Sequence, residues 1–476
     1  MPESTTGKQS IVERLGAELA NRVERWMPSP FLFAIILTYI VYVAAVLGTD
    51  AGVFEAVEFW YDGFWAFLTF AMQMVLVLMT GFVVAYHPRV NAGLQRLSRL
   101  PSNGKQAVVL VGVVSMMLAW IHWGLGLIIG AIFAREMGKT THQNGIAVHY
   151  PLLCVAGYMG LGLTWHWGLS GSAPLLLATE GNEFIEMGVL EETVPTSATI
   201  LHPYALTLTT LSIVFASIVL YLLSPSPGRS RPITEYIPED ELFETTPDGG
   251  EVKAKGENSV ENDPDERVPA ERLNNSRLMG GLIALTGLVM VGYTFVTLGL
   301  DALDLNVVNF AFLMAGLAIY TQPQVYRDRF GDASSAAAGV ILLFPFFAGI
   351  QGIMASSGLA ELIADGLLAV SSPATFPVFA WLTAAVTNMF VPSGGGEWIV
   401  LGPSVIEAAQ AHGIPAGHAT IAYAVGDAHT NLLNPFWALP LLAITRIKAR
   451  EMFGYAIAML LLLIPFLAIA LYLVPY

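Results

Sequence analysis

Apolar residues fill most of this chain in blocks that a soluble domain would not tolerate. Nine blocks read as candidate spans: residues 31–47, 64–86, 149–178, 200–223, 279–298, 306–320, 335–356, 418–445 and 452–474. A helix needs roughly 20 residues to cross the hydrocarbon of a bilayer, and most of these are long enough or nearly so. Two further apolar stretches, 107–137 and 376–411, are interrupted near their middles. The sharpest interruption is Val391-Pro392-Ser393-Gly394-Gly395-Gly396-Glu397-Trp398. Inside hydrocarbon it leaves backbone N–H and C=O groups without helical partners. Such a break survives only within protein or beside a wet cavity.

Composition agrees with this pattern. Of 476 residues, 55% are hydrophobic and 12% charged, against about 25% charged in soluble domains. The lone cysteine, Cys154, allows no internal disulfide. Residues 1–30 form a polar N-terminal tail without the apolar core of a signal peptide. The net charge of −15 gathers largely in residues 233–271. That segment is poor in aliphatic residues, so 224–277 reads as an acidic, disordered cytoplasmic loop. Nucleic acid is not an expected partner of so acidic a chain.

Short cytoplasmic loops are enriched in Lys and Arg, which orients the spans. Lys8, Arg14, Arg22 and Arg25 place the N-terminus inside, and the purely acidic 48–63 loop outside. Arg89, Arg96, Arg99 and Lys105 bring the chain back. A single crossing by 107–137 would put Arg135 and Lys139 outside, so this stretch is expected to dip in and return as a hairpin turning at His122-Trp123-Gly124. Residues 179–199 hold five Glu and no Lys or Arg, hence outside. Residues 376–411 lack basic flanks and read as a second hairpin entering from outside, after which Arg446, Lys448 and Arg450 return the chain inside. The C-terminus is predicted outside.

One order then occurs twice: span, span, hairpin, interrupted span, span. Residues 31–223 form the first copy and 306–476 the second; a linking helix in 278–305 inverts the second. The expected fold class is an all-α polytopic membrane protein: an inverted-repeat secondary transporter with about nine transmembrane helices plus two re-entrant hairpins.

The four interruptions hold nearly all ionisable residues at membrane depth: His122, His166, Glu397, Asp427 and His429. Charge there is costly, so each is a functional candidate. Helix starts after Gly396 and after Gly171 are expected to present free N–H groups to a carboxylate. The expected substrate-binding residues are His122, Trp123, Gly124, His166, Ser170, Gly171, Ser172, Ser393, Gly394, Gly395, Gly396, Glu397 and Asn434. Asn388, Asp427, His429, Thr430 and Asn431 suit a coupling ion, Na⁺ or a proton, with no other cofactor. No Arg or Lys lies deep in a span, so backbone donors would bind the anion. Trp123, Trp165, Trp167, Trp398, Phe436 and Trp437 suit a short alkyl chain. Blander roles compete: His122 and His166 as satisfied core histidines, Asp427 as a cap, Glu397 as a solvent-facing tip, the glycines as packing contacts.

At these residues the chain resembles the short-chain fatty acid transporter family (AtoE type), a branch of the ion-transporter superfamily. The similarity is carried by 120–130, His149-Tyr150-Pro151, Trp165-His166 with 168–174, 391–396 with Gly402-Pro403, and 426–440. It implies uptake of short-chain monocarboxylates such as acetoacetate or butyrate, by a transport domain moving against a scaffold. It also implies a non-enzyme in the cell membrane, compatible with a homodimer. His122 stands where Asn is usual, Glu397 where Gln is usual and His429 where Trp is usual, which adds titratable groups at the expected site. A cation/proton antiporter of the same architecture is the alternative. A metalloenzyme using the three histidines finds only a weak signature, since no His-Glu-x-x-His run occurs.

Overall fold

A computed structural model describes residues 30–66, 68–243, 268–389, 394–434 and 437–476. The expected N-terminal tail before Pro30, Ser393 and Phe436 lie outside the described residues, as does 244–267 of the acidic loop. The described residues are helical, without strands.

The chain begins with α1 (Pro30–Gly48), α2 (Val53–Gly63), α3 (Leu68–Ala85) and α4 (Pro88–Leu97). Next come α5 (Gly104–Ile121), α6 (Trp123–Gln143), α7 (Tyr150–Tyr158), α8 (Ser172–Ala178) and α9 (Pro203–Leu223). Beyond the acidic loop lie α10 (Arg277–Leu298), α11 (Leu305–Tyr320), α12 (Pro323–Ser356) and α13 (Leu359–Val370). The chain finishes with α14 (Phe376–Asn388), α15 (Gly394–Ala411), α16 (Ala416–Thr430), α17 (Leu439–Thr445) and α18 (Ala449–Leu473).

Among the described residues, five helical stretches are long and apolar enough to cross a membrane: Gly104–Ile121, Pro203–Leu223, Pro269–Leu298, Ala337–Ser356 and Ala449–Leu473. A sixth counts if Ala71–Ala85 and Pro88–Leu97, bent by 68°, form one span. The bend falls where Pro88 opens α4 and the His87 ring accepts the Arg89 N–H at 3.2 Å. Others of the expected spans are shorter helices, or are broken at polar residues as their sequences suggested. The Pro269–Leu298 stretch is only 11% buried, so its apolar surface meets lipid.

Two expected loops are structured instead. Residues 48–63, read as an outside loop, contain α2, whose Glu55 side chain accepts the Gly52 N–H at 3.0 Å. A Cβ on Gly63 would sit 2.6 Å from the Gly352 Cα, so α2 and α12 touch backbone to backbone. Trp60 and Phe64 pack edge-on against Phe346 around that contact. The acidic loop likewise starts ordered, because Ile233 and Ile237 are fully buried and the Tyr150 N–H bonds the Arg231 carbonyl at 2.9 Å. Composition averaged over the whole loop hides these few anchoring residues.

The elements form two packed groups. α12 lies against α1, α2 and α3, with α11 beside α3 and α10 on α11. The second group joins α5, α6, α7 and α9 to α14, α15, α16 and α18. α9 meets α18 through Phe215 stacked on Phe466 at 4.3 Å. α3 against α6, and α12 against α15, connect the groups.

α5 and α6 run back along one another. A Cβ on Gly126 would meet Ala119, and one on Gly130 would meet the Ser115 Oγ, so the paired positions close on residues 122–123. The same face of α6 presses on α7, where a Cβ on Gly130 would overlap the Gly157 carbonyl oxygen. Gly130→Val is therefore expected to force the two helices apart. Overpacking of this kind costs about 1–3 kcal/mol or more. The check is a lower melting temperature and lower yield of monodisperse detergent-solubilised protein.

Candidate functional site

The first broken helix ends α7 with a wide turn. Gly160–Thr164 is π-helical, and the Trp165 N–H reaches the Gly160 carbonyl at 3.2 Å. Such turns release backbone groups and often mark functional positions. The chain then curls through residues 165–171 before α8 begins. The His166 ring folds over the start of α8, where its Nε2 accepts the Ala173 N–H at 3.1 Å and lies 2.9 Å from the Ser172 Oγ. Because Nε2 accepts, the ring proton sits on Nδ1. Nδ1 lies 3.4 Å from the Asp427 Oδ2 on α16, and both side chains are essentially fully buried.

Residues 173–175 offer a ligand no free N–H group. Ala173 is bonded to His166, Pro174 has no N–H, and Leu175 bonds the Gly171 carbonyl. The start of α6 is satisfied in the same way. Its Trp123 N–H bonds the Ser170 Oγ at 2.8 Å and its Leu125 N–H the His122 Nδ1 at 3.1 Å.

The second break is held by amides. Asn388, at the end of α14, has its two Nδ2 protons among three acceptors: the Asp427 carbonyl (2.7 Å), the Thr430 Oγ1 (3.0 Å) and the Asn431 Oδ1 (3.1 Å). Asn431 donates in turn to the Leu161 carbonyl at 3.1 Å, inside the π turn. Tyr158 reaches the Asn431 and Asn434 carbonyls at 3.2 and 3.3 Å. The two breaks are thus bonded to one another. Both Asp427 carboxyl oxygens, the Asn388 Oδ1 and the Glu397 Oε2 are buried without a hydrogen-bond partner among the described residues.

The glycine tip closes the arrangement. A Cβ on Gly394 would lie 2.6 Å from Trp165, 3.0 Å from the His166 Cε1 and 3.1 Å from the Asp427 Oδ2. Beside it is a cavity of about 10 Å³, lined by Ser172, Gly394, Gly395 and the rings of Trp123, Trp165 and Trp437, with Met74, Leu161 and Phe344. That is room for about one water molecule. The surface it exposes is apolar, with the backbone of Gly394 and Gly395 and the side chain of Ser172 on its border.

Several expected site residues point elsewhere. The His122 ring packs on Phe312 of α11 at 3.9 Å. Gly124 faces α3, since a Cβ there would be 2.8 Å from the Val77 carbonyl oxygen. The His429 Nε2 lies 3.0 Å from the Leu460 carbonyl of α18, and its ring stacks on Trp381. Glu397 accepts the Tyr423 hydroxyl at 2.6 Å through Oε1. Trp398 covers Phe184. Gly171 lets the chain turn tightly over the His166 carbonyl, and Gly396 is buried in the first turn of α15. Met74, Phe344, Tyr158 and Tyr423 are contributors that no motif announced. Tyr423 alone had a signal, standing one helical turn before Asp427 on the same face.

Comparisons with known proteins agree with this architecture. A family model described as "Short chain fatty acid transporter" matches residues 11–474. A protein of Escherichia coli (strain K12) named "Putative short-chain fatty acid transporter" is 34% identical over 451 residues, spanning 95% of this chain and 97% of that one. One of the same name from Haemophilus influenzae is 32% identical over 467 residues, covering 97% of this chain and 100% of its own length. The crystal structure of the Alcanivorax borkumensis YdaH transporter superposes with a TM-score of 0.51 at 17% identity, over 93% of this chain and 98% of that one. That likeness shows the fold alone, a polytopic arrangement of helices. Two lines of sequence similarity reach across nearly the whole chain, and the protein belongs to the short-chain fatty acid transporter family.

Proposed function

We propose that this protein imports short-chain monocarboxylates such as butyrate or acetoacetate by cation-coupled alternating access. The cavity at the glycine tip carries the reading. Gly394, Gly395 and Ser172 bound it on one side, and Trp123, Trp165 and Trp437 form its apolar wall. A carboxylate at the α15 start meets amide donors and the positive end of the helix dipole, while two to four methylene groups meet aromatic faces. The cavity holds about one water, so a butyrate enters only when the tip or the surrounding helices part. Alternating access supplies that motion, with the α5–α6 and α14–α15 hairpins and the two broken helices carried as inverted repeats. Asp427, whose carboxyl oxygens carry no hydrogen bond among the described residues and whose Oδ2 lies 3.4 Å from the His166 Nδ1, is the best-placed partner for the coupling cation.

Counterflow of radiolabelled butyrate in proteoliposomes tests this. Saturable exchange, competed by acetoacetate and driven further by an inward Na⁺ or proton gradient, is expected. Absence of any carboxylate exchange would overturn it. Unpaired oxygens on two buried carboxyl groups also favour a second reading, a cation/proton antiporter. Quenching of a pH-sensitive dye by Na⁺ without organic substrate would select that reading.

A further inference from the structure

A second, larger cavity of about 560 Å³ adjoins the site, and Trp437 lines both. Its walls are largely apolar, contributed by Phe82 of α3, Val340 of α12 and Ile444 of α17, and it also holds Arg135 and Arg446. The two arginines differ. Arg446 is paired with Glu241. Arg135 is half-buried on α6 and has no hydrogen-bond or ion-pair partner among the described residues. A guanidinium flanked by apolar walls attracts anions more strongly than one in open water. Twelve residues of helix separate it from Trp123, about 18 Å along α6 at 1.5 Å per residue.

We propose that this cavity is the vestibule between the glycine-tip site and the cytoplasm, that Trp437 partitions the two, and that Arg135 is the anion station within it. The proposal rests on the carboxylate reading of the site. Nothing cationic lines the inner cavity, so a carboxylate leaving Gly394 and Gly395 past Trp437 meets its first unneutralised guanidinium at Arg135. The positive-inside pattern of Arg135, Lys139, Arg446 and Lys448 puts this mouth on the cytoplasmic side. A bidentate contact to a departing carboxylate also gives Arg135 the partner it lacks.

Two measurements test it. In sealed vesicles of each orientation, Arg135→Gln is expected to raise the half-saturating butyrate concentration about tenfold at the cytoplasmic face. The outer face should be unchanged, and Arg135→Lys should recover part of the loss. Ala443→Cys places a thiol in the vestibule of a chain whose own Cys154 is buried. A membrane-impermeant anionic maleimide is expected to label it only in inside-out vesicles, and more slowly when butyrate is present. Unchanged cytoplasmic half-saturation in a transporting Arg135→Gln protein, or labelling from the outer face, overturns the vestibule proposal alone. A wild-type protein that moves no short-chain acid overturns the carboxylate reading, and the proposal falls with it.

Discussion

Gly394→Val is expected to abolish butyrate exchange, to below about one hundredth of the wild-type rate, with little loss of membrane insertion. The first atom of any side chain at this position would lie 2.6 Å from the Trp165 ring and 3.1 Å from the Asp427 Oδ2. Real Cβ atoms do not approach so closely, and valine adds two methyl groups beyond that. Trp165 has little room to retreat, since its ring stacks on His166 at 4.4 Å and lies 6.0 Å from Trp123. Either the tip withdraws from the cavity or the His166–Asp427 pair separates, and each destroys the place at the start of α15 where the carboxylate would sit. Glycine is needed here for close approach, the position meeting side chains from both broken helices. Gly145, in open space at a loop with φ +67°, is the control: its replacement strains a turn but touches nothing at the site. Counterflow in proteoliposomes, normalised to inserted protein, is the measurement. Exchange within a factor of three of wild type would remove the glycine tip from the binding site.

The breaks were legible because hydrocarbon makes them conspicuous. Gly-Gly-Gly after Pro392-Ser393, and Asp427 to Asn434 within an apolar run, have no economical explanation in a continuous span. The turn at His122 was legible from charge, since one crossing would have stranded Arg135. What each break does with its freed backbone groups was not legible. His166 reaches forward to Ala173 across a non-helical curl, a contact that no periodicity encodes. Lying in the same interruption as Asp427, two residues away, made His429 look equivalent to it. A helix turns about 200° over two residues, which sends His429 toward α18 while Asp427 faces His166. The short helices α2, α4 and α13 escaped notice for a different reason. At 11, 10 and 12 residues they fall below the length at which an apolar block signals a span.

Asp427→Asn is expected to uncouple transport and to stabilise the fold, and the combination is diagnostic. Both carboxyl oxygens are buried without hydrogen bonds among the described residues, and the His166 Nδ1 lies 3.4 Å from Oδ2. A buried carboxyl group with neither oxygen hydrogen-bonded is costly. Asparagine preserves the shape and the backbone carbonyl that Asn388 holds at 2.7 Å, while removing the charge. The melting temperature should therefore rise by a few degrees, on the order of 1–3 kcal/mol of relieved desolvation. Concentrative butyrate uptake under an ion gradient should fall at least about tenfold. Exchange without a gradient should persist, because the start of α15, Gly394 and Gly395, is untouched. Glu397 does not replace the lost group, since Tyr423 ties one of its oxygens at 2.6 Å. Wild-type accumulation with unchanged ion dependence would exclude Asp427 from coupling. Loss of both exchange and stability would make it a structural cap, whose carboxylate the fold requires whether or not an ion ever binds there.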